Sequence, residues 1–265
     1  MSFDPRYASM KASRPTYLLD LMRELVGRDM KLRYKRSTLG AAWSLLNPLS
    51  QLVVLTFVFR LVLPVQIENF TTFLFTGLLA WTWFQTSLTA AAASVVDNRE
   101  LIRQPGFPVA ILPAVSIMSH MVHFILSLPV LALFLLFNEI PLTGALLALP
   151  LVIALQFLLT LGPAYFVATL HVSFRDIQYL LGILLLLGFY LSPVFYDVTH
   201  VPDRYQALYH LNPMVDLLSM YRGILLQGRL PNPRVLLTMY ALASVVVVIG
   251  HRIYVRASYH FVEEL

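Results

Sequence analysis

His120 and His123 stand three residues apart in an apolar stretch, a spacing that sets two imidazoles on one helix face within reach of a single metal ion. Zinc sites want three or four ligands, and no third ligand is visible nearby. Interhelical hydrogen bonding or a place in a pore lining is therefore the better reading. The remaining histidines are scattered, and no nucleophile-and-base pair or paired carboxylates can be picked out by spacing. No G-x-x-x-x-G-K-[ST] run occurs, so the chain carries no P-loop of its own for ATP. The absence of cysteine removes disulfides and thiolate chemistry and leaves the compartment open.

Three groups of residues do carry a positive signal. Arg28, Lys31, Arg33, Tyr34 and Lys35 belong to the run RDMKLRYKRS, which ends just before the first long apolar stretch. Such charge at a membrane face attracts anionic headgroups at about 1 kcal/mol per basic residue, and it also serves simple topological anchoring. The segment 97–108, DNRELIRQPGFP, is short and mixed in charge; Asn98, Arg99, Glu100 and Arg103 surround Leu101 and Ile102, two apolar anchors that a partner's groove could take. Trp81, Trp83, Phe84, Tyr190, Phe195 and Tyr196, with Trp43 and Phe189, gather near the ends of apolar stretches or within the fifth. An interfacial belt accounts for them by default. Those flanking Ser192-Pro193 are also placed to stack on sugar faces at a pore mouth.

The elements that must hold these residues follow from composition. Of 265 residues, 58% are hydrophobic and 12% charged, against roughly 45 to 50% and about 25% in a soluble domain. That excludes disorder and points to an all-α integral membrane protein, since a slab of about 30 Å takes about 20 helical residues per crossing. Six apolar stretches are long enough or nearly so: 39–63, with a kink expected at Asn47-Pro48, then 70–96, 109–137, 146–170, 177–195 and 235–255. Residues 1–38 form a cytoplasmic tail with nine basic and four acidic residues, and Leu18, Leu21, Met22, Leu25, Val26 and Leu32 give it the apolar stripe of an amphipathic interface helix. A cleaved signal peptide fits this tail poorly. No Asp or Glu falls inside the six stretches, which argues against an ion-coupled carrier, because such machines keep acids deep in the bilayer.

Segment 197–234 is too short to cross. Asn212 is a good N-cap with Pro213 at the first helical position, and the helix it opens, 213–227, should be re-entrant or interfacial and packed on protein. Lys and Arg concentrate in the N-terminal tail, at Arg99 and Arg103, at Arg175 and at Arg252 and Arg256 beside the C-terminal tail 256–265, whereas 64–69 and 138–143 have none. This bias places both termini in the cytoplasm.

In order and spacing, Arg28-Asp29, Arg33-Tyr34-Lys35 with Ser37, Leu39-Gly40, Trp43, Pro48, Asn98 to Ile102, Phe107-Pro108, Arg175-Asp176-Ile177, Leu191 to Tyr196, Leu211-Asn212-Pro213 and Tyr221-Arg222 resemble the ABC-2 type permeases that export polysaccharides and polyol phosphates. The resemblance covers nearly the whole chain. It implies a six-span domain over 39–255, with 97–108 as coupling helix and 197–234 as re-entrant helices closing the outward side. It implies a homodimer in the bacterial inner membrane that works with two copies of a separate ATP-binding subunit. That subunit would use ATP and Mg, and this chain would bind no cofactor and catalyse no bond change. The expected cargo is a lipid-linked polysaccharide of O-antigen or capsule type, its pyrophosphate met by the basic tail; no nucleic acid is involved. Teichoic acid or small lipophiles are alternative cargoes. A membrane enzyme using Asp197, Asp203 and Asp216 is the more distant rival.

Overall fold

The computed structural model describes residues 14–35, 42–63 and 65–264; of Arg14, Pro15, Arg33, Tyr34, Ala42, Ser44, His200, Val262 and Glu263 only the backbone is described. Arg36, Ser37, Leu39 and Gly40 lie outside the described residues. Every described element is helical: α1 (Arg14–Tyr34), α2 (Ala42–Phe57) with a π turn Val58–Val62, α3 (Phe70–Asp97), α4 (Arg99–Ile102), α5 (Ile111–Phe137), α6 (Leu149–Ser173) entered by a 3-10 turn Gly144–Ala148, α7 (Ile177–Leu191), a 3-10 turn Val198–His200, α8 (Asp203–Tyr209), α9 (Pro213–Leu225), α10 (Pro233–Ser258) and α11 (Phe261–Glu264).

Four helical segments are both long and apolar enough to cross a membrane: Leu45–Val62, Ile111–Phe137, Gly144–Ser173 and Pro233–Ser258. The other two expected crossings differ for physical reasons. At 28 residues α3 would reach about 42 Å, but its Thr, Ser, Gln and Trp content lowers its apolarity because it forms the inner wall of the bundle. Buried Thr76 donates back to the carbonyl of Thr72, and Ser94 to that of Ala91, so these hydroxyls are satisfied without water. Helix α7 stops at Leu191 after 15 residues, about 22 Å, because Ser192 turns extended ahead of Pro193. Helix α2 continues through Pro48, which is buried, and passes into a π turn at Val58–Val62.

Helix α3 packs against α2, α5, α6, α7 and α9, and α6 packs along α10. The α6–α10 crossing depends on two glycines. A Cβ at Gly162 would come within 2.6 Å of Val246 Cγ1, and one at Gly250 within 2.7 Å of the Gly162 carbonyl. Polar side chains tie the layers: fully buried Gln156 donates to the Ala80 carbonyl at 2.8 Å, and Tyr165 and Tyr254 donate to the carbonyls of Ala110 and Val109. The connections gather at two ends. At one, Arg28 meets Asn98 and Ser173 donates to Glu264. At the other, residues 66–69, 138–141, 197–199 and the last turn of α9 surround a cavity of about 610 Å³.

Replacing Gly162 or Gly250 by Val should therefore separate α6 from α10 and cost at least about 1–3 kcal/mol, read as a lower thermal midpoint of the protein in detergent. Gly182→Ala, where an added Cβ meets nothing within 4 Å, should leave that midpoint unchanged or slightly raised.

Candidate functional site

The segment that leaves α7 is held by residues distant in sequence. Asn212 caps α9 by accepting from the Met214 N–H at 3.0 Å, and its amide donates to Ser192 Oγ at 2.9 Å. Ser192, Pro193 and Val194 are buried, and the Val194 carbonyl accepts from Arg222 Nη2 at 2.8 Å. Arg222 is 6% exposed; its Cζ lies 3.4 Å from the centroid of the Phe73 ring. Burying a guanidinium costs several kcal/mol, offset here by the carbonyl, by the ring face and by the charge of Asp197. Gly77 makes the contact possible, since a Cβ there would stand 2.7 Å from the Val194 oxygen and 2.8 Å from Nη2. Ser192, Pro193, Asn212, Pro213 and Arg222, expected as separate motif positions, thus form one junction between α3, α7 and α9.

An aromatic cluster borders this junction. Phe195 stacks on Phe59 with centroids 5.1 Å apart, and it touches Phe189, Tyr190 and Tyr196. The π turn supplies Phe59. Trp81 continues the cluster through Phe84 and Phe189 and donates to Gln85 Oε1. Tyr196 donates to the Tyr190 carbonyl and shares a short hydroxyl contact with Tyr209. Burial raises the pKa of both phenols, so both stay protonated. Trp83 does not join them: it is 2% exposed, stacks on Phe124 and donates to the Ile117 carbonyl, which makes it a core residue between α3 and α5.

At the opposite end, α1 lays Leu25, with Leu21, Met22 and Val26, against Ile111, Val115, Leu101 and Phe107. Arg28 Nη2 donates to Asn98 Oδ1 at 2.5 Å, while Asn98 Nδ2 donates to the Ser94 carbonyl at the end of α3. Lys31 and Lys35 are exposed; Arg33 and Tyr34 belong to the backbone of α1, and their side chains lie outside the description. Of the two apolar anchors in 97–108, Ile102 is buried and Leu101 faces α1, so α4 presents Arg99, Glu100 and Arg103 outward. Arg175 and Asp176 are exposed in the turn into α7 at this same end.

The remaining candidates stay apart. His120 and His123 have ring centroids 5.7 Å apart, and among the described residues no three His, Cys, Asp or Glu converge for a metal. Asp197 accepts from Thr199, Asp203 from Gln206, and Asp216 meets His210 at 2.8 Å, so each carboxylate has a different local partner. Sequence reasoning missed Gly77, Phe59 and Phe73, whose importance lies in contacts with residues more than a hundred positions away. Arg222 did leave a signal, as the one cation in the helix α9.

Asn232 caps α10 by accepting from the Arg234 N–H at 3.0 Å, and among the described residues its side chain makes no further hydrogen bond, which makes it a control for Asn212. Asn232→Ala should cost about 1 kcal/mol, and Asn212→Ala about 1 kcal/mol more through the lost Ser192 bond, with faster proteolysis at 197–202 only in the latter.

The profile of the family described as ABC-2 type transporter matches residues 20–226. An O-antigen export system permease protein, RfbA, from Klebsiella pneumoniae is 32% identical over 250 residues, covering 94% of this chain and 96% of the relative. An O-antigen export system permease protein RfbA from Myxococcus xanthus is 34% identical over 248 residues, 92% of this chain and 95% of that one. The polysialic acid transport protein KpsM of Escherichia coli is 21% identical over 204 residues, 76% and 79% of the two chains. With that extent of matching, helices apolar enough to cross a membrane and a bundle built on α3, the chain belongs to the ABC-2 type transporter family.

Proposed function

We propose that this chain is the permease subunit of an ATP-driven exporter that carries a lipid-linked polysaccharide of O-antigen type out across the bacterial inner membrane. The observation that supports this most directly is the junction at Arg28 and Asn98: a basic amphipathic helix is hydrogen-bonded to the start of an exposed, charged segment. A headgroup bound on one side of that junction and a protein docked on the other would sense each other's position. The names of the relatives supply the cargo class, and their extensive coverage of the chain supports carrying it over.

In this reading six helices cross, α3 as the inner wall and α7 as a short crossing completed by the Ser192–Tyr196 turn. Both termini, α1 and α4 face the cytoplasm, while α8 and α9 form the re-entrant outward side. Two copies of the chain enclose the path, and two copies of a separate ATP-binding subunit dock on α4, using ATP and Mg that this chain does not bind. Arg99, Glu100 and Arg103 supply the docking charges. Lys31 and Lys35, with the outward donors of Arg28, meet the pyrophosphate of the cargo through charge-assisted hydrogen bonds. The aromatic cluster of Trp81, Phe84, Tyr190, Phe195 and Tyr196 offers flat apolar faces with polar edges to passing sugars.

Two outcomes check the division of labour. Reversing Lys31 and Lys35 to Glu should cut surface display of the native glycan at least tenfold while co-purification with the ATP-binding subunit is retained. Each lost charge-assisted contact is worth about 1.5–3 kcal/mol. Reversing Arg99 and Arg103 to Glu should do the opposite, abolishing co-purification and glycan-stimulated ATPase activity with the thermal midpoint of the isolated chain unchanged. If both pairs impair docking equally, the assignment of the basic helix to cargo fails.

A further inference from the structure

Helix α3 is the inner wall of the bundle, yet one stripe of it stays open. Successive residues turn by about 100°, so that Trp81 faces Phe189 of α7, Thr86 shares a small cavity with Pro48 of α2, and Gln85 and Thr89 point between the two neighbours. Both are exposed, and Thr82 and Thr86 beside them are half-buried. No charged residue lies between Phe70 and Asp97. The hydroxyls of Thr86 and Thr89 are closed onto the carbonyls of Thr82 and Gln85.

Gln85 is different. The indole N–H of Trp81 can only donate, and it reaches Gln85 Oε1 at 3.0 Å, so the amide must give its oxygen to the indole and turn its two N–H groups away from it. Among the described residues no acceptor meets them. Gln85 lies about 18 Å along α3 from Asp97 and about 22 Å from Phe70, which in the six-helix reading is inside the hydrocarbon. Unmet N–H donors against lipid tails would cost several kcal/mol, so the stripe faces something that accepts hydrogen bonds. An ion gains little there, because the stripe offers it no opposite charge. The indole that orients the amide also touches Phe84 and Phe189, with centroids 5.6 and 6.0 Å away. Ring faces beside an amide donor match a pyranose, which has apolar C–H faces and hydroxyl oxygens that accept.

We infer that Gln85 is a sugar-contacting residue on the path of the glycan, donating from the open stripe of α3 to hydroxyl oxygens, and that Trp81 is the positioning residue that keeps its amide turned that way. The inference rests on the export reading and deepens it by naming the wall that the glycan touches halfway across. The contact is uncharged, so a sugar unit can leave it as readily as the next one arrives.

The test exploits the absence of cysteine from the chain. Gln85→Cys and, as a control, Val245→Cys, whose side chain is exposed midway along α10, are produced in cells that lack the native chain and hold the rest of the export system, and are treated with a water-soluble methanethiosulfonate. Gln85→Cys should be modified at least tenfold faster, because thiolates form in water and not in lipid. Modification no faster than that of Val245→Cys overturns the inference, whether lipid or a second copy covers the stripe. In the same cells Gln85→Met, which removes the donors and keeps the volume, should slow the appearance of the native glycan at the surface about fivefold with an unchanged thermal midpoint. Trp81→Phe, which keeps a ring and removes the N–H, should slow it too, and adding Gln85→Met to Trp81→Phe should slow it no further. Unaltered display in Gln85→Met, or effects that add in the double variant, overturn the assignment. Display restored by the unmodified chain separates the two readings: where it is restored, these failures remove the Gln85 contact alone, and where it is not, the export reading falls and the contact with it.

Discussion

Hydrocarbon gives a helix bundle neither a hydrophobic drive to associate nor a hydrogen bond for a stray polar group, and the structure of this chain follows from how α3 meets both conditions. Dispersion between closely approaching backbones must supply the attraction, so small residues have to line the contacts. Gly77, Ala80, Ala91 and Ala92 do so on α3, and Gly162 facing Gly250 does so between α6 and α10. Thr76 and Ser94 on the inner wall then return their hydroxyls to their own helix, and Gln156 reaches the Ala80 carbonyl of a neighbour. The same residues that make α3 a good wall make it a poor match to a simple picture of a membrane span.

The junction at Arg222 extends this logic to an irregular segment. Turning the chain out of α7 frees backbone carbonyls at a depth where water is scarce, and a guanidinium can answer a carbonyl from a helix not adjacent in sequence. Its charge is tolerable because Phe73, the Val194 oxygen and Asp197 share it. Neutral amides would satisfy the carbonyl equally well. A charged donor adds dependence on its surroundings: any movement of α9 that takes Arg222 off the ring or away from Asp197 exposes the full desolvation cost. Arg222 thus ties the turn after α7 to the position of α9 more strictly than a neutral amide would.

How much of this was legible in the sequence depended on whether a residue's partner was near in the chain. The N-cap at Asn212, Pro213 at the first helical position and the stripe Leu21, Met22, Leu25 and Val26 are short-range signals, and each helix stands where its signal put it. The break at Ser192-Pro193 is legible as a proline where the helix leaves the bilayer, but the aromatics beyond it prolong the apolar run to Phe195, four residues past the end of α7 at Leu191. Ile102 was read as a surface anchor and is a core residue; periodicity over a helix of four residues cannot tell the two faces apart. Trp83 was grouped with Trp81 by proximity, although two residues on a helix point about 200° apart, and that angle sends one to the aromatic cluster and the other to the core. Gly77 gave no warning at all, since the atoms it makes room for belong to Val194 and Arg222.

The α1 end of the bundle carries an excess of basic residues, whereas at the far end Glu68, Glu139, Asp197, Asp203 and Asp216 are balanced by Arg60, Arg204, Arg222, Arg229 and Arg234. In the export reading that asymmetry bears on how a long polymer with one anionic lipid end can be moved without becoming trapped. A basic helix holds an anion, and the same grip repeated at the far end would give two wells of similar depth with a barrier between them. A far end whose charges balance does not hold an anion as a basic helix does. In that reading the electrostatic step between the ends opposes nothing but the charged terminus. In the export reading, moving that terminus is where free energy from outside the chain has to act, because no Asp or Glu lies within the six apolar stretches to couple an ion gradient to the crossing.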